Sequence, residues 1–355
     1  MTERRRAALP RRCAALMLRA ALGFVEAPSV DAKTLRWAGR GDLQTTDRPS
    51  QNENLTNNIN LPVYEPLINR DKKLGLVAAL AASWAQLDPI ELEHVVTINI
   101  MSRAWCEKNK ASSPQNYTQK EDLITAHAAT GTGPYRLKSR EPDIRTVLLK
   151  NPDWRGIKEG RFEGNVDELA YLPIVSDATR LAALMSGEVD IVNDPPPQEV
   201  PRLKQTPNIK ALEGTENRIV FIGMHQQRDE LLYSNAKGKN PFRDRRVRQA
   251  LYQAIDTDAI FILQPVLATW TGKGDGDYNC GRYSNPKQDE WTAKAKVNMH
   301  PEQRLAEIRQ ALAAQAEAIN HLPLHRQVIP WAMRGSVTAV HRADNQVIPY
   351  WVTVQ

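Results

Sequence analysis

Cysteine is scarce in this chain: three in 355 residues, at positions 13, 106 and 280. Three thiols cannot build a disulfide framework, so the fold must rest on a hydrophobic core. A chain of this length can bury one. Long apolar runs are missing too, and nothing approaches the roughly 18 or more residues that a membrane-spanning helix needs. Also missing are a Gly-x-Ser-x-Gly elbow, the Lys-Ser/Thr ending of a phosphate loop, internal repeats and low-complexity tracts. No catalytic nucleophile is identified. Aromatic residues make up only 6% of the chain, yet eight of them are Trp, which supplies flat apolar area with a polar handle for a core or a ligand cleft.

What is present reads as a soluble globular protein, with 41% apolar and 25% charged residues. The net charge of +6 suggests nucleic acid until its distribution is considered. Residues 1–32 hold six arginines against Glu3, Glu26 and Asp31, a net of +3 and half of the surplus. The body is close to balanced, and no nucleic-acid partner is expected. The basic cluster Lys237, Lys239, Arg243, Arg245, Arg246 and Arg248 reads as the solvated face of an ordinary helix.

The first 32 residues have the layout of a secretory signal. Arg4-Arg5-Arg6 and Arg11-Arg12 form a positive head, Cys13–Val25 an apolar stretch interrupted by Arg19, and Val30-Asp31-Ala32 a small-residue exit. Export would place Cys106 and Cys280 in an oxidising compartment, where they could pair or remain as two buried thiols.

From Lys33 onward, strand and helix patterns alternate, which gives an α/β or mixed class. Strands are expected at 33–38, 135–137, 146–149, 166–174, 189–192 and 218–223, the last of them buried. Gly131 and Gly133, both able to take positive φ, and Pro134 mark a compact turn ahead of Tyr135. Asp177 should cap a helix with Ala178, Leu181, Leu184 and Met185 on its apolar face, ended by Gly187. A second helix at 245–255 would bury Val247, Ala250, Leu251, Ala254 and Ile255. A third begins at Pro301 with Leu305, Ile308, Leu312, Ala316 and Ile319 along one stripe. His321–Trp331 reads as a strand-like return. His321 and His325 have the spacing of helical metal ligands, but Pro323 between them defeats that geometry. Asp275-Gly276-Asp277-Tyr278-Asn279 opens like a calcium loop, but Cys280 stands where Gly is needed and Pro286 where Glu is needed.

Several segments, in this order, resemble the extracytoplasmic solute-binding proteins of ABC transporters, family 5, the peptide and nickel type. They are Leu35-Arg36-Trp37-Ala38, Val63-Tyr64-Glu65-Pro66-Leu67, Leu80-Ala81-Ala82-Ser83-Trp84, Gly131-Thr132-Gly133-Pro134-Tyr135, and Asn151-Pro152-Asp153-Trp154. After them come Asp177 to Asp190, Asn240-Pro241-Phe242 with Arg246-Val247-Arg248-Gln249-Ala250, Tyr283-Ser284-Asn285-Pro286, and Leu322-Pro323-Leu324-His325. The resemblance implies an α/β, periplasmic-binding-protein-like, two-lobed architecture with mixed sheets. It implies an exported, periplasmic and monomeric protein that captures a peptide or similar small molecule and delivers it to an ABC permease in the membrane, with no catalytic residues and no cofactor.

Two family blocks are absent. Leu87-Asp88-Pro89 runs directly into Ile90-Glu91-Leu92 with no His-Asp-Gly turn, and the stretch between Ile260 and Trp270 is short. The expected division is a leader at 1–32, a first lobe at 33–240 and 322–355, and a truncated second lobe at 241–321. In the family a loop of the second lobe carries a Trp and an Asp that pairs with a peptide ammonium. The nearest counterparts here are Trp270, Asp275 and Asp277, the expected ligand-binding residues. The alternative is a non-binding remnant or interaction module of the same fold.

Overall fold

The computed structural model describes residues 32–47, 53–83, 99–110, 112–113, 116, 131–254, 282–298 and 300–355. The chain divides into Met1–Ala32 and Lys33–Gln355, and the second of these units is described below. The segments 84–98 and 255–281, where the two absent blocks are expected, lie outside the described residues.

Seven strands form the main sheet: β1 (Thr34–Gly39), β2 (Tyr135–Glu141), β3 (Arg145–Lys150), β4 (Glu168–Pro173), β5 (Ile191–Asn193), β6 (Ile209–Gly223) and β7 (His321–Arg334). Their spatial order is β6-β7-β5-β1-β4-β3-β2. β1 lies parallel to β4 and β5, while the pairs β2–β3, β3–β4, β5–β7 and β6–β7 are antiparallel. The sheet is therefore mixed, as expected from the sequence.

Strand alternation sorts side chains onto two faces. Leu35 and Trp37 of β1, Ile191 of β5, and Ile329, Trp331 and Met333 of β7 join Tyr64, Tyr135, Leu148, Leu169 and Tyr171 in one core. Ala38, Val192 and Ala332 point the other way, onto Leu181, Leu184, Val189 and Leu203. Full burial of each large apolar side chain is worth about 1.5–3 kcal/mol. Arg36 shares the second face with Ala38. It takes Asp190 in a bidentate grip, Nε to Oδ2 at 2.9 Å and Nη2 to Oδ1 at 2.7 Å, which raises the guanidinium pKa further.

The first helix, α1 (Asn54–Asn60), is capped by the Glu53 carboxylate and carries Asn58, whose amide donates to the Asn345 carbonyl at 3.0 Å. The next, α2 (Asp177–Ser186), is capped by Ser176 rather than by Asp177, which sits one position inside. Its buried positions are Arg180, Leu181, Ala183 and Leu184, while Ala178 and Met185 are exposed. Arginine on the inner face displaced the apolar stripe by one residue. Gly187 ends the helix as expected, left-handed at φ 83°.

Gly131 and Gly133 serve a purpose different from the one expected. Neither takes positive φ. A Cβ on Gly131 would lie 2.0 Å from the Val63 carbonyl oxygen, and one on Gly133 would lie 2.5 Å from that of Pro62. The backbone here runs against residues 62–63, with Gly133 N–H donating to Val63 O at 3.0 Å and Tyr135 N–H to Pro62 O at 2.9 Å. The requirement is for close approach, not for a left-handed turn.

Beyond the sheet lie α3 (Arg245–Gln253), α4 (Pro286–Val297) and α5 (Pro301–Ala318), with Pro301 at the first turn of α5 as expected. On α3 the expected burial is reversed: Ala250, Leu251 and Ala254 are exposed and the buried residue is Arg248. Its guanidinium donates to Ala318 O and Ile319 O at the end of α5 and to Phe242 O and Arg243 O. It satisfies carbonyls that a helix terminus leaves open. On α5 the buried positions are Ala311, Ala314 and Gln315, while Leu305 is exposed. The outer part of β6 is also exposed, with Phe221 and Ile222 open to solvent.

Two substitutions check these packing arguments. Gly133→Ala should cost about 1–3 kcal/mol through overpacking against backbone, measured by urea denaturation. Arg248→Met keeps the stem but strands several carbonyls, each unmade bond costing about 1–3 kcal/mol. Hydrogen exchange should show the amides of α3 and the C-terminal turn of α5 losing protection before those of β1 and β4.

Candidate functional site

Parallel strands β1, β4 and β5 all end at one edge of the sheet. In α/β sheets the loops at the carboxyl ends of strands are where ligands gather. From the same edge the antiparallel ribbon of β6 and β7 runs outward: Asn193 pairs with Trp331, and the ribbon continues to Gly223 opposite His321. This ribbon carries the chain towards α3–α5. The carboxyl edge and the root of the ribbon form the candidate site.

Arg180 organises the edge. Its side chain is fully buried, with Nη1 donating to Ile174 O at 2.7 Å and Nη2 paired with Asp177. Nη2 also reaches Asp194 O at 3.4 Å. One guanidinium thus ties the loop after β4 to the loop after β5. Asp177 is shared with Arg40 of the loop after β1, at 3.0 and 3.1 Å, and these two arginines hold its carboxyl below the usual range. The Tyr171 hydroxyl donates to Gly41 O.

Asp194 is the residue on which these contacts converge. It takes the left-handed conformation, φ 53°, uncommon for non-glycine residues and most accessible to Asp and Asn. Its Oδ1 accepts from Asn345 Nδ2 at 3.3 Å, and Asn345 Oδ1 accepts from Trp331 Nε1 at 2.7 Å. Asn345 is itself left-handed, φ 56°. Desolvation pushes the Asp194 carboxyl up, with the Asn345 hydrogen bond and the charges of Arg218, Arg40 and Arg180 opposing.

The ribbon supplies the other half of the site. Its register breaks between Thr215 and Ile219, and Asn217 N–H leaves the ladder for Ala343 O at 2.9 Å. Such a bulge redirects side chains, here Glu216 and Arg218. Glu216 is buried, and Arg218 Nε donates to its Oε1 at 2.6 Å. Burial pushes its carboxyl up, with the ion pair to Arg218 working against this.

Farther along, the segment after β6 encloses an open cavity of about 730 Å³ lined mainly by Leu231, Leu232, Tyr233 and Phe242, with His225 and Arg228. Desolvation lowers the His225 pKa. Among the described residues, no group of three His, Cys, Asp or Glu is placed to hold a metal ion. No helix among them is long and apolar enough to cross a membrane.

The residues named from the sequence as ligand contacts, Trp270, Asp275 and Asp277, lie outside the described residues, as does Cys280. Cys106 is a buried free thiol. His321 is buried, set edge-on to Phe221 at 4.7 Å, and desolvation lowers its pKa. The structure adds Asp194, Glu216 and Asn345, which no sequence motif had marked. The one available signal was a single Asp standing between a strand and Pro195-Pro196-Pro197.

A mixed sheet with a long two-stranded crossover leaving its carboxyl edge is the architecture of the two-lobed periplasmic binding proteins. The solved dipeptide-binding protein from Pseudoalteromonas sp., in complex with Met-Leu, shares this fold with a TM-score of 0.69 at 12% identity, covering 91% of this chain and 100% of that one. The oligopeptide-binding protein AppA from Bacillus subtilis, in complex with a nonapeptide, gives 0.67 at 12% identity, covering 91% and 99%. In sequence, the model of the bacterial extracellular solute-binding proteins, family 5, matches residues 76–315, and the chain belongs to that family. The periplasmic oligopeptide-binding protein OppA of Salmonella typhimurium is 30% identical over 176 residues, 49% of this chain and 27% of that protein. The dipeptide-binding protein of Escherichia coli is 26% identical over 144 residues, 41% of this chain and 23% of that protein. The matched stretches thus span about a quarter of these relatives.

The raised carboxyl of Asp194 carries a stability prediction with a definite sign. A folded-state pKa above the unfolded one stabilises at low pH and is lost as pH rises through the folded value. Asp194→Asn removes the buried charge and keeps an acceptor for Asn345, in a conformation that asparagine tolerates well. The variant should unfold at higher urea than the parent at pH 7. Its advantage should shrink as the pH falls from the raised folded pKa towards 3.8, the ordinary Asp value.

Proposed function

We propose that this chain is the extracytoplasmic solute-binding component of an ABC importer, capturing a peptide or similar small solute and delivering it to a membrane permease. The observation that carries this reading is the carboxyl edge itself, where two strand-end loops tied by Arg180, and a third joined through Asp177 and Arg40, meet the bulged root of the crossover ribbon. Family membership gives the edge its meaning, and the relatives named above for oligopeptide and dipeptide binding favour a peptide. Residues 33–240 and 322–355 would form the first lobe and 241–321 a reduced second lobe, with Trp270, Asp275 and Asp277 closing on the ligand from that side. Closure about the ribbon would trap the solute. The working form is an exported monomer without a cofactor, its first 32 residues serving as the export signal.

A second reading has its own observation. Ala250, Leu251 and Ala254 on α3 and Leu305 on α5 are exposed, so the apolar surface of these helices is incompletely covered. That favours a remnant which kept the fold and lost capture.

Native mass spectrometry of the gently purified protein, followed by calorimetric titration with di- to pentapeptides, separates the two. Importer function predicts a co-purifying small molecule or a peptide that binds with one-to-one stoichiometry. Asp275→Asn or Trp270→Ala should then weaken it about tenfold or more, the worth of one charge-assisted or stacking contact. A bare protein that binds no peptide in the series establishes the remnant.

A further inference from the structure

The segment after β6 closes on itself and carries an apolar tip into solvent. Asn240 is buried, and its amide donates to His225 O and to Arg228 O, both at 2.8 Å. These bonds hold the two ends of the segment together, the arrangement of a compact Ω-loop. Within the loop Leu232 is 63% exposed and its neighbour Tyr233 is 100% exposed. On the return limb, a Cβ added at Gly238 would meet nothing within 4 Å. Leu232 and Tyr233 line the open cavity of about 730 Å³ together with Leu231 and Phe242. Apolar side chains scattered singly over a surface need no explanation, but a contiguous exposed group with a polar rim marks an interaction site.

The rim has one prevailing charge. Arg228, Lys237 and Lys239 are exposed and have no ion pair among the described residues. Of the two acidic residues in the loop, Asp229 is taken by Arg243, which leaves Glu230 against three uncommitted cations. The complement of such a tip is a surface that is anionic outside and apolar just beneath. An anionic phospholipid bilayer has this layering, and its negative potential attracts each nearby Lys or Arg. Leucine can enter the apolar layer, and tyrosine settles at its boundary with the ring inside and the hydroxyl in water. A protein partner fits less well, because Lys is depleted at the centres of protein interfaces.

We propose that the loop at 225–240 docks on the surface of an anionic phospholipid bilayer. Leu232 and Tyr233 enter the interface, while Arg228, Lys237 and Lys239 meet the head groups. The contact is peripheral, its strength the sum of a small apolar burial and an electrostatic attraction. It is therefore reversible and weakens as salt screens the charges. This docking goes beyond solute capture and needs neither a bound solute nor a permease.

The test is co-sedimentation of the full chain with liposomes at low salt. One set is phosphatidylcholine alone and the other is mixed equally with phosphatidylglycerol. Three double variants are compared with the parent, each first checked for cooperative thermal unfolding. They are Leu232→Ser with Tyr233→Ser, Lys237→Gln with Lys239→Gln, and, as a control, Lys108→Gln with Lys158→Gln, two exposed lysines outside the loop. The parent should bind the anionic liposomes and not the neutral ones. The apolar variant should lower that affinity about tenfold or more, and the loop lysines about fivefold for each one removed. The control pair should change it less than either. Anionic binding that all three variants lower equally is general charge attraction and overturns the proposal. So does binding that the apolar variant leaves unchanged, and so does failure to bind either liposome. Self-association in analytical ultracentrifugation that the apolar variant abolishes, with no liposome binding, assigns the tip to a second copy of this chain instead.

Discussion

Arg180 is the constraint on which the edge of this molecule depends. A guanidinium with no solvent exposure survives only if its charge is compensated. Here the partners are a carboxylate and the carbonyls of two different loops. Those contacts fix the loop after β4 and the loop after β5, and through Asp177 and Arg40 the loop after β1. Beside these strand ends, Asp194 takes its left-handed conformation. The Trp331–Asn345 pair then reaches it from the crossover strand. Core packing builds the sheet, and this polar knot turns one of its edges into a defined surface.

The second arginine of structural weight works in the same way on the other side of the ribbon. Arg248 gathers carbonyls from the end of α5 and from the turn before α3, which makes α3 an appendage held by polar contacts. Its apolar face, with Ala250 and Leu251 exposed, contributes little to burial. The contrast is physical: the main sheet rests on a two-faced core rich in Trp and Tyr. Among the described residues, α3 is joined to α5 through helix-end hydrogen bonds and α4 packs against α5. A carboxylate pair such as Asp194 and Glu216, pushed up by burial, lowers stability at neutral pH.

Most of the sheet was legible in the sequence because its strands obey simple alternation. Lys33–Ala38, Tyr135–Leu137, Thr146–Leu149 and His321–Trp331 all appear as strands, and the order of family motifs gave the architecture. The failures were local and share a cause. Arg248 was read with its basic cluster as outward, and Arg180 was left off the apolar stripe of its helix, because periodicity counts hydrophobicity and cannot see a buried guanidinium with backbone partners. Gly131 and Gly133 were valued for the freedom to take positive φ, because no sequence shows which backbone will pass within contact distance. Asp194 stands at a strand end and Glu216 in a bulge of another strand, and no spacing rule marks positions that register alone defines. Trp270, Asp275 and Asp277 came only from the family resemblance, and their part in binding remains a proposal.

The account's central claim is that the carboxyl edge and the root of the ribbon are where a solute is held. Hydrogen–deuterium exchange of the full chain, with and without a saturating tripeptide mixture, tests it most directly. The account predicts slowed exchange at four first-lobe segments, the loops at 40–47, 174–180 and 193–196 and the bulge at 215–219, with second-lobe slowing at 270–277 where that lobe is proposed to close, and with β2 and β3 unchanged. Exchange that is unaltered at all four segments, or slowed only elsewhere, would contradict it.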